Sequence, residues 1–259
     1  MGYIPPEILR YILEYLPLPS TKRVSSVFYE IEEDMKEYRI DRYKNMYTMV
    51  DSAIRCDDWD AVLFMLYHHE MYIIYSISRS IGNRGNRTMI SIMLDINPYE
   101  RCGIALGATK GGHLDIVKWM VEIGSKNYNE IAYSAAKEGH RGIVEYTISL
   151  GVDCYDWIAY GAGRNGHRDI LEWMISSRLA TSYNMIANGI ADKGQKDLVI
   201  YMIDSGATDY DWIAEGAARG GHLDLVKDMI DMGASDYNLI TNTASIYNHT
   251  DIVDYIQSL

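Results

Sequence analysis

Residues 128–151 read YNEIAYSAAKEGHRGIVEYTISLG, and the spacing inside this stretch decides the fold. Ile131, Ala132, Ala135 and Ala136 recur at i, i+1, i+4 and i+5, which places them on one side of a short helix. Alanine at those positions lets a neighbouring helix come close. After the Glu138-Gly139-His140 turn, the segment Arg141 to Leu150 puts Ile143, Val144, Ile148 and Leu150 at similar spacing and leaves Arg141, Glu145 and Ser149 for water. The pattern predicts two antiparallel helices of about nine or ten residues each, closed by Gly151.

The same block recurs along most of the chain. Its clearest copies open at Tyr128, Tyr155, Tyr183, Tyr210 and Tyr237, each with Tyr-(Asn/Asp)-x-Ile. Following the second member of the Gly-His pair gives Trp59, Asn86, His113, His140, His167, Gln195, His222 and His249, in steps of 27 residues with one step of 28 into Gln195. Eight units fit between about residue 47 and residue 259, the first two and the last degenerate. A helix pair of this size cannot bury a face alone, so the expected fold is all-α: an α-solenoid of stacked helix-turn-helix repeats over residues 47–259, preceded by a different segment at 1–46.

The punctuation carries physical meaning. Gly124, Gly151, Gly206 and Gly233 stand eleven residues after the turn position, with Asn97 in the same place earlier and Arg178 as the exception. Gly and Asn tolerate the left-handed conformation that ends a helix. Asn129, Asp156, Asn184, Asp211 and Asn238 are expected to accept from unpaired N–H groups at the start of the first helix. The regularly spaced histidines invite a metal site, but equivalent positions in neighbouring units stand about 8–10 Å apart, against the roughly 2 Å of a metal–ligand bond. An imidazole hydrogen-bonded to loop backbone at the turn is the expected reading, and no metal is called for. The Tyr series reads as core or loop anchor.

Composition narrows the function. The apolar share of 48% suffices for a continuous core, and the formal charge of −12 argues against nucleic acid as a partner. No run approaches the roughly 18 apolar residues of a membrane span, and the start lacks the pattern of a signal peptide. An intracellular, cytoplasmic protein without a membrane partner is expected. Cys56, Cys102 and Cys154 share no motif spacing and read as reduced, packed thiols. Gly-rich phosphate loops, Cys-x-x-Cys, His-Glu-x-x-His and Gly-x-Ser-x-Gly do not occur, so no catalysis and no cofactor are expected. Carboxylates such as Asp115, Glu122, Asp224 and Asp228 read as solvated helix faces.

A binding face can be counted back from the turn residue. Positions ten, seven, six and three before it share one side of the first helix, opposite the core. They read Glu130, Tyr133, Ser134, Lys137; then Trp157, Tyr160, Gly161, Arg164; then Met185, Asn188, Gly189, Asp192; then Trp212, Glu215, Gly216, Arg219. Tyr133, Lys137, Trp157, Tyr160, Arg164, Met185, Trp212, Glu215 and Arg219 are the candidate contact residues, because aromatics and Arg concentrate binding energy. The alternative for both Trp side chains is packing across the seam between units. Gly107, Gly161, Gly189 and Gly216 at the sixth position, with Ser134 in the series, imply close approach of a neighbouring helix or of a ligand backbone, since Gly inside a helix costs close to 1 kcal/mol relative to Ala.

At these residues the chain resembles a known family. Gly112-His113-Leu114-Asp115-Ile116-Val117-Lys118-Trp119-Met120 running to Gly124, Ala135-Ala136-Lys137-Glu138-Gly139-His140, and Gly221-His222-Leu223-Asp224-Leu225-Val226-Lys227 with Gly233-Ala234 are similar to the second half of an ankyrin repeat. The period is shorter than that family's, which implies that the projecting hairpin finger is cut back to a short loop. Short arrays of this kind, rich in Tyr, Ile and Asn, resemble those of large DNA viruses of protists, and a viral origin would place the chain in the host cytoplasm.

Residues 1–46 lie outside the register. Pro5-Pro6-Glu7-Ile8-Leu9, Ile12-Leu13, Tyr15-Leu16-Pro17 and Val24-Ser25-Ser26-Val27-Phe28 resemble an F-box with three or four residues missing between Pro17 and Val24. That resemblance implies a Skp-type adaptor of a cullin-RING ubiquitin ligase as partner, contacted by Pro6, Ile8, Leu9, Leu13 and Leu16, with the repeat array selecting a target protein. The alternative is a helical cap on the solenoid, leaving an ankyrin-like binding or decoy module.

Overall fold

The computed structural model describes residues 54, 62 and 71–259; the F-box-like residues Pro6, Ile8, Leu9, Leu13 and Leu16 lie outside the described residues. Every regular element among the described residues is helical, and the helices recur at the period of the sequence. They are α1 Met71–Arg84, α2 Arg87–Ile96, a 3-10 turn at Pro98–Glu100, α3 Arg101–Lys110, α4 Leu114–Glu122, α5 Tyr128–Glu138, α6 Arg141–Ser149, α7 Tyr155–Arg164, α8 Arg168–Ser176, α9 Tyr183–Ala191, α10 Lys196–Ser205, α11 Tyr210–Gly220, α12 Leu223–Asp231, α13 Tyr237–Ile246 and α14 Thr250–Gln257. None is long and apolar enough to cross a membrane.

The described residues fall into two compact units, divided between Asn127 and Tyr128. In the first, α1 packs against α2 and α3, and α3 pairs with α4. In the second, the first helices α5, α7, α9, α11 and α13 each pack on the next, and each pairs with the second helix that follows it. The core comes from the pattern the sequence repeats. Ile131, Ala132, Ala135 and Ala136 are fully buried, as are Ile158, Ala159 and Ala162, then Ile186, Ala187 and Ile190, then Ile213, Ala214 and Ala217. The small alanines keep the first helices close together, and the branched side chains fill the space toward the second helices.

Four details of the sequence reading change on folding. In α6 the residue that completes the buried stripe with Ile143 and Val144 is Thr147, whereas Ile148 and Leu150 are half-buried. Thr147 is tolerated because its hydroxyl donates to the carbonyls of Ile143 and Val144 at 3.0 and 2.9 Å. Asn97 is extended, with φ −142°, and its side chain accepts from the Tyr99 N–H at 3.1 Å. It ends α2 as expected, its N–H donating to the Met93 carbonyl at 2.8 Å, and opens the 3-10 turn, but without the left-handed conformation that Gly124, Gly151, Gly206 and Gly233 occupy. Arg178 takes up that conformation without being glycine, at φ 56°. Asp228, read as a solvated carboxylate, is half-buried and paired with Lys196 at 2.6 Å.

The fourth correction concerns the Asn/Asp series, which does not cap its own helices. Asp156 Oδ1 accepts from the backbone N–H groups of Thr181 and Ser182 at 2.6 and 3.0 Å, and the Ser182 hydroxyl donates to Oδ2 at 2.6 Å. Asn184 Oδ1 accepts in the same way from Thr208 and Asp209, and Asp211 Oδ1 from Ser235 and Asp236. Each side chain thus reaches forward to the loop that opens the next unit. Where a carboxylate does cap, it is the residue just before the Tyr: Asp209 accepts from Trp212 N–H and Asp236 from Leu239 N–H, both at 3.0 Å.

The turn residue ties units together in the opposite direction. His113 Nε2 lies 2.9 Å from the Asn83 carbonyl, His167 Nε2 2.8 Å from Lys137, His222 Nε2 3.3 Å from Asp192 and His249 Nε2 3.1 Å from Arg219. A carbonyl only accepts, so Nε2 carries the proton in each case. Gln195 performs the same act with its amide, donating to the Arg164 carbonyl at 3.0 Å. The expected imidazole-to-backbone bond is therefore what this series of residues provides.

Candidate functional site

The candidate face is presented by α5, α7, α9, α11 and α13, and its rows have separate fates. The sixth position before the turn is a packing contact between helices. A Cβ on Gly216 would stand 2.3 Å from the Asn188 carbonyl oxygen, and one on Gly189 would meet the Tyr160 ring at 2.0 Å. On Gly161 the nearest atom would belong to the Tyr133 ring, at 3.0 Å. Tyr133 and Tyr160, at the seventh position, are accordingly half-buried against the next unit's glycine.

The seventh and third positions build a polar network. Arg164 forms an ion pair with Asp192, a residue only 8% exposed, and its guanidinium also lies 5.9 Å from the centre of the Tyr160 ring. Lys193 approaches the same carboxylate at 3.4 Å. One unit on, Arg219 donates to Glu215 and, at 3.2 Å, to Asn188 Oδ1. The Asn188 amide donates in turn to the Trp212 carbonyl at 2.6 Å and to Glu215 Oε2 at 2.9 Å, and the Thr243 hydroxyl reaches Glu215 Oε1 at 3.5 Å. Burial works to lower the pKa of Arg164, but its hydrogen bond to Asp192 and the electrostatic attraction of the surrounding groups outweigh it and the net shift is upward. Arg219 behaves alike, with burial opposed by Glu215. Both arginines stay charged and are held within the array.

The tenth position is left open. Trp157 is 55% exposed, standing edge-on to Tyr160 with ring centres 5.5 Å apart. Trp212 is 40% exposed, and Met185 between them is half-buried. Leu239 continues the row at 37% exposure, one unit beyond the residues the sequence singled out. The repeat offset that selected Trp157, Met185 and Trp212 also reaches Leu239, so the signal was present. Lys137 is exposed, and its carbonyl accepts from His167.

The structure therefore sorts the nine candidates. Tyr133, Tyr160, Arg164, Glu215 and Arg219 are bound up in contacts between neighbouring units. Trp157, Met185 and Trp212 form a row, and Lys137 lies apart from it in chain order. Asn188 and Asp192 are the residues whose weight was not evident from sequence: both are buried, and each links two units.

The loop segments 151–156, 206–211 and 233–238 bring Asp153, Asp156, Asp209, Asp211 and Asp236 to the start of first helices, while the loop that opens α9 carries the exposed Arg178. Burial pushes the Asp156 carboxyl up, yet the Ser182 hydroxyl and the N–H groups of Ser182 and Thr181 outweigh it, so its pKa lies below the ordinary Asp value. Among the described residues no group of three or more His, Cys, Asp or Glu is arranged to hold a metal ion. Comparison with protein-family models and with curated proteins finds no match for this chain.

Proposed function

We propose that this chain is a protein-interaction scaffold: the exposed row on its first helices selects a target protein and holds it without performing chemistry. The carrying observation is the contrast between rows. The sixth and seventh positions are taken up by contacts between units and the third by ion pairs at Arg164, Asp192 and Arg219, while Trp157, Met185, Trp212 and Leu239 remain accessible at one position in four successive units. Large aromatic side chains left half in water are the residues that concentrate energy when a partner covers them.

The finer reading is a substrate-recognition subunit of a cullin-RING ubiquitin ligase acting in the host cytoplasm. Its support is the F-box-like string around Pro6, Ile8, Leu9, Leu13 and Leu16, joined to repeats that resemble ankyrin units. An amphipathic helix carrying those residues would insert into the groove of a Skp-type adaptor, and the array would present the target for ubiquitin transfer.

The two halves of this proposal are tested separately. Full-length chain co-purified with the host's Skp-type adaptor, beside a folded Leu9→Asp/Leu13→Asp variant, is expected to bind only as wild type. No binding by folded wild-type chain would remove the ligase connection and leave a binding or decoy module. Capture of target protein from host lysate is expected to survive Leu9→Asp/Leu13→Asp and to fall in Trp157→Ala/Trp212→Ala. Unchanged capture by the latter would sink the assignment of the face.

A further inference from the structure

Among the loops that lead into first helices, one departs from the rest. Segments 124–127, 151–154, 206–209 and 233–236, ahead of α5, α7, α11 and α13, each open on glycine and run directly into the Tyr that starts the helix. The loop into α9 reads Arg178-Leu179-Ala180-Thr181-Ser182, one residue longer. Arg178 stands where the others have glycine and keeps the left-handed conformation, at φ 56°. That conformation is unfavourable for a residue with a Cβ, so the helix end gives no reason for an arginine. Its side chain is exposed and has no partner among the described residues.

Thr181 follows three residues on. It is exposed, its N–H donates to Asp156 Oδ1 at 2.6 Å, and its carbonyl accepts from the Tyr183 N–H at 3.0 Å. The hydroxyl is its one uncommitted polar group. The Ser182 hydroxyl, by contrast, donates to Asp156 Oδ2 at 2.6 Å. Among the described arginines, Arg178 alone has a Ser or Thr three residues further on. An arginine at that distance before an open hydroxyl, outside a helix, is what a basophilic Ser/Thr kinase reads. The guanidinium pairs with carboxylates of the kinase's substrate groove while the hydroxyl faces ATP.

We propose that Thr181 is a phosphorylation site and that phosphate there opens the junction between α7 and α9. In the step, Thr181 Oγ1 bonds to the γ-phosphorus of ATP, the bond from that phosphorus to the bridging oxygen breaks, ADP leaves, and the hydroxyl proton passes to the kinase's base. The product carries about −1.5 to −2 charge near neutrality, on the residue whose own amide holds the Asp156 carboxylate. The single guanidinium of Arg178 cannot offset both anions. Repulsion drives Asp156 from the loop, and the N–H groups of Thr181 and Ser182 lose their shared acceptor. Ala180, between Arg178 and Thr181, is fully buried, so the kinase takes the loop in its opened form and phosphate keeps it open. The step affected lies between Trp157 on α7 and Met185 on α9, and the site stands independently of what that row binds.

The test is treatment of the folded full-length chain with a calmodulin-dependent protein kinase, magnesium and ATP, with phosphate mapped by peptide mass spectrometry and thermal unfolding measured afterwards. Phosphate is expected on Thr181 in wild type, and to fall about tenfold or more in Arg178→Gly, which removes the recognised charge. The same substitution should raise the melting temperature, because glycine suits the left-handed position. Phosphorylated wild type is expected to melt at a lower temperature than the unmodified chain. The fall should be smaller in phosphorylated Asp156→Asn, where no carboxylate faces the phosphate. Absence of phosphate on Thr181, equal labelling of Arg178→Gly, a melting temperature that phosphate does not lower, or an equal fall in Asp156→Asn would each overturn the proposal. The scaffold reading fails on a different result, namely target-protein capture that ignores Trp157→Ala/Trp212→Ala.

Discussion

At the residue scale, two glycines of the same series predict opposite outcomes. A methyl at Gly216 would stand 2.3 Å from the Asn188 carbonyl oxygen, which is backbone and cannot step aside without moving α9. Gly216→Ala is expected to lose about 1–3 kcal/mol in chemical denaturation despite the better helix propensity of Ala. At Gly161 the same methyl meets the Tyr133 ring at 3.0 Å, and a half-buried ring can give by a few tenths of an ångström. Gly161→Ala should stay within about 1 kcal/mol of wild type. The sequence revealed that something approaches these glycines closely but not what, because a periodic Gly looks identical whether a carbonyl or a ring faces it. Asp156 supplies a pH prediction. Its folded pKa lies below the ordinary value, so its stabilisation is present above the unfolded pKa and is lost as pH falls through the folded one. Asp156→Asn keeps the acceptor that Asn184 uses in the neighbouring unit, and should match wild type near neutrality within about 1 kcal/mol. Urea titrations repeated below about pH 4 should show wild type losing the larger share of its stability.

At the scale of elements, each helix pair is held by a hook at its turn and another at its loop. A backward bond from the turn residue needs only a nitrogen donor at the right reach, and Gln195 shows that an amide can supply it. His167→Gln is therefore expected to change thermal stability little, whereas His167→Ala should lose about 1 kcal/mol by leaving the Lys137 carbonyl without that donor. The turn glycine is fixed twice over: Gly139 has φ +81°, and a Cβ on it would lie 2.6 Å from the His167 ring. Existence and order of the helix pairs were legible in the 27-residue register, as was the role of the histidines. The forward hooks were misread as caps because Asn and Asp suit both tasks chemically. Only the placement of Tyr128, Tyr155, Tyr183 and Tyr210 as first helical residues shows that the next residue is already inside the helix.

At the scale of the molecule, protection should be uneven along residues 128–259. In α13 and the turn after it the side chains of Tyr237, Leu239, Ile246 and Tyr247 are all exposed, Ile246 at 74%, while α9 has first helices packed on two sides. Amide hydrogen exchange is expected to be fastest in α13 and α14 and slowest in α9, since opening free energy follows buried contact. Uniform protection across the five pairs would show a single cooperative block in place of nearest-neighbour stacking. The candidate face was legible as a set of offsets, but its division into a packed part and an open part was not. That division depends on which partner residue the neighbouring unit offers, such as Asp192 for Arg164 and Glu215 for Arg219.

Because every hook spans one unit, the array can be edited in whole periods. Excising residues 210–236 would bring Tyr237 directly after Asp209. Asn184 would keep its bonds to Thr208 and Asp209, Asp209 would cap Leu239 in place of Asp236, and His249 would meet the Asp192 carbonyl in place of His222. No donor or acceptor of this scheme would be orphaned by such a join. Unequal recombination between copies of the repeat would thus lengthen or shorten the array with its hooks intact, while losing polar pairs such as Arg219 with Asn188, whose place Ile246 would take. The number of units in the stack then becomes a quantity that inheritance can adjust one step at a time.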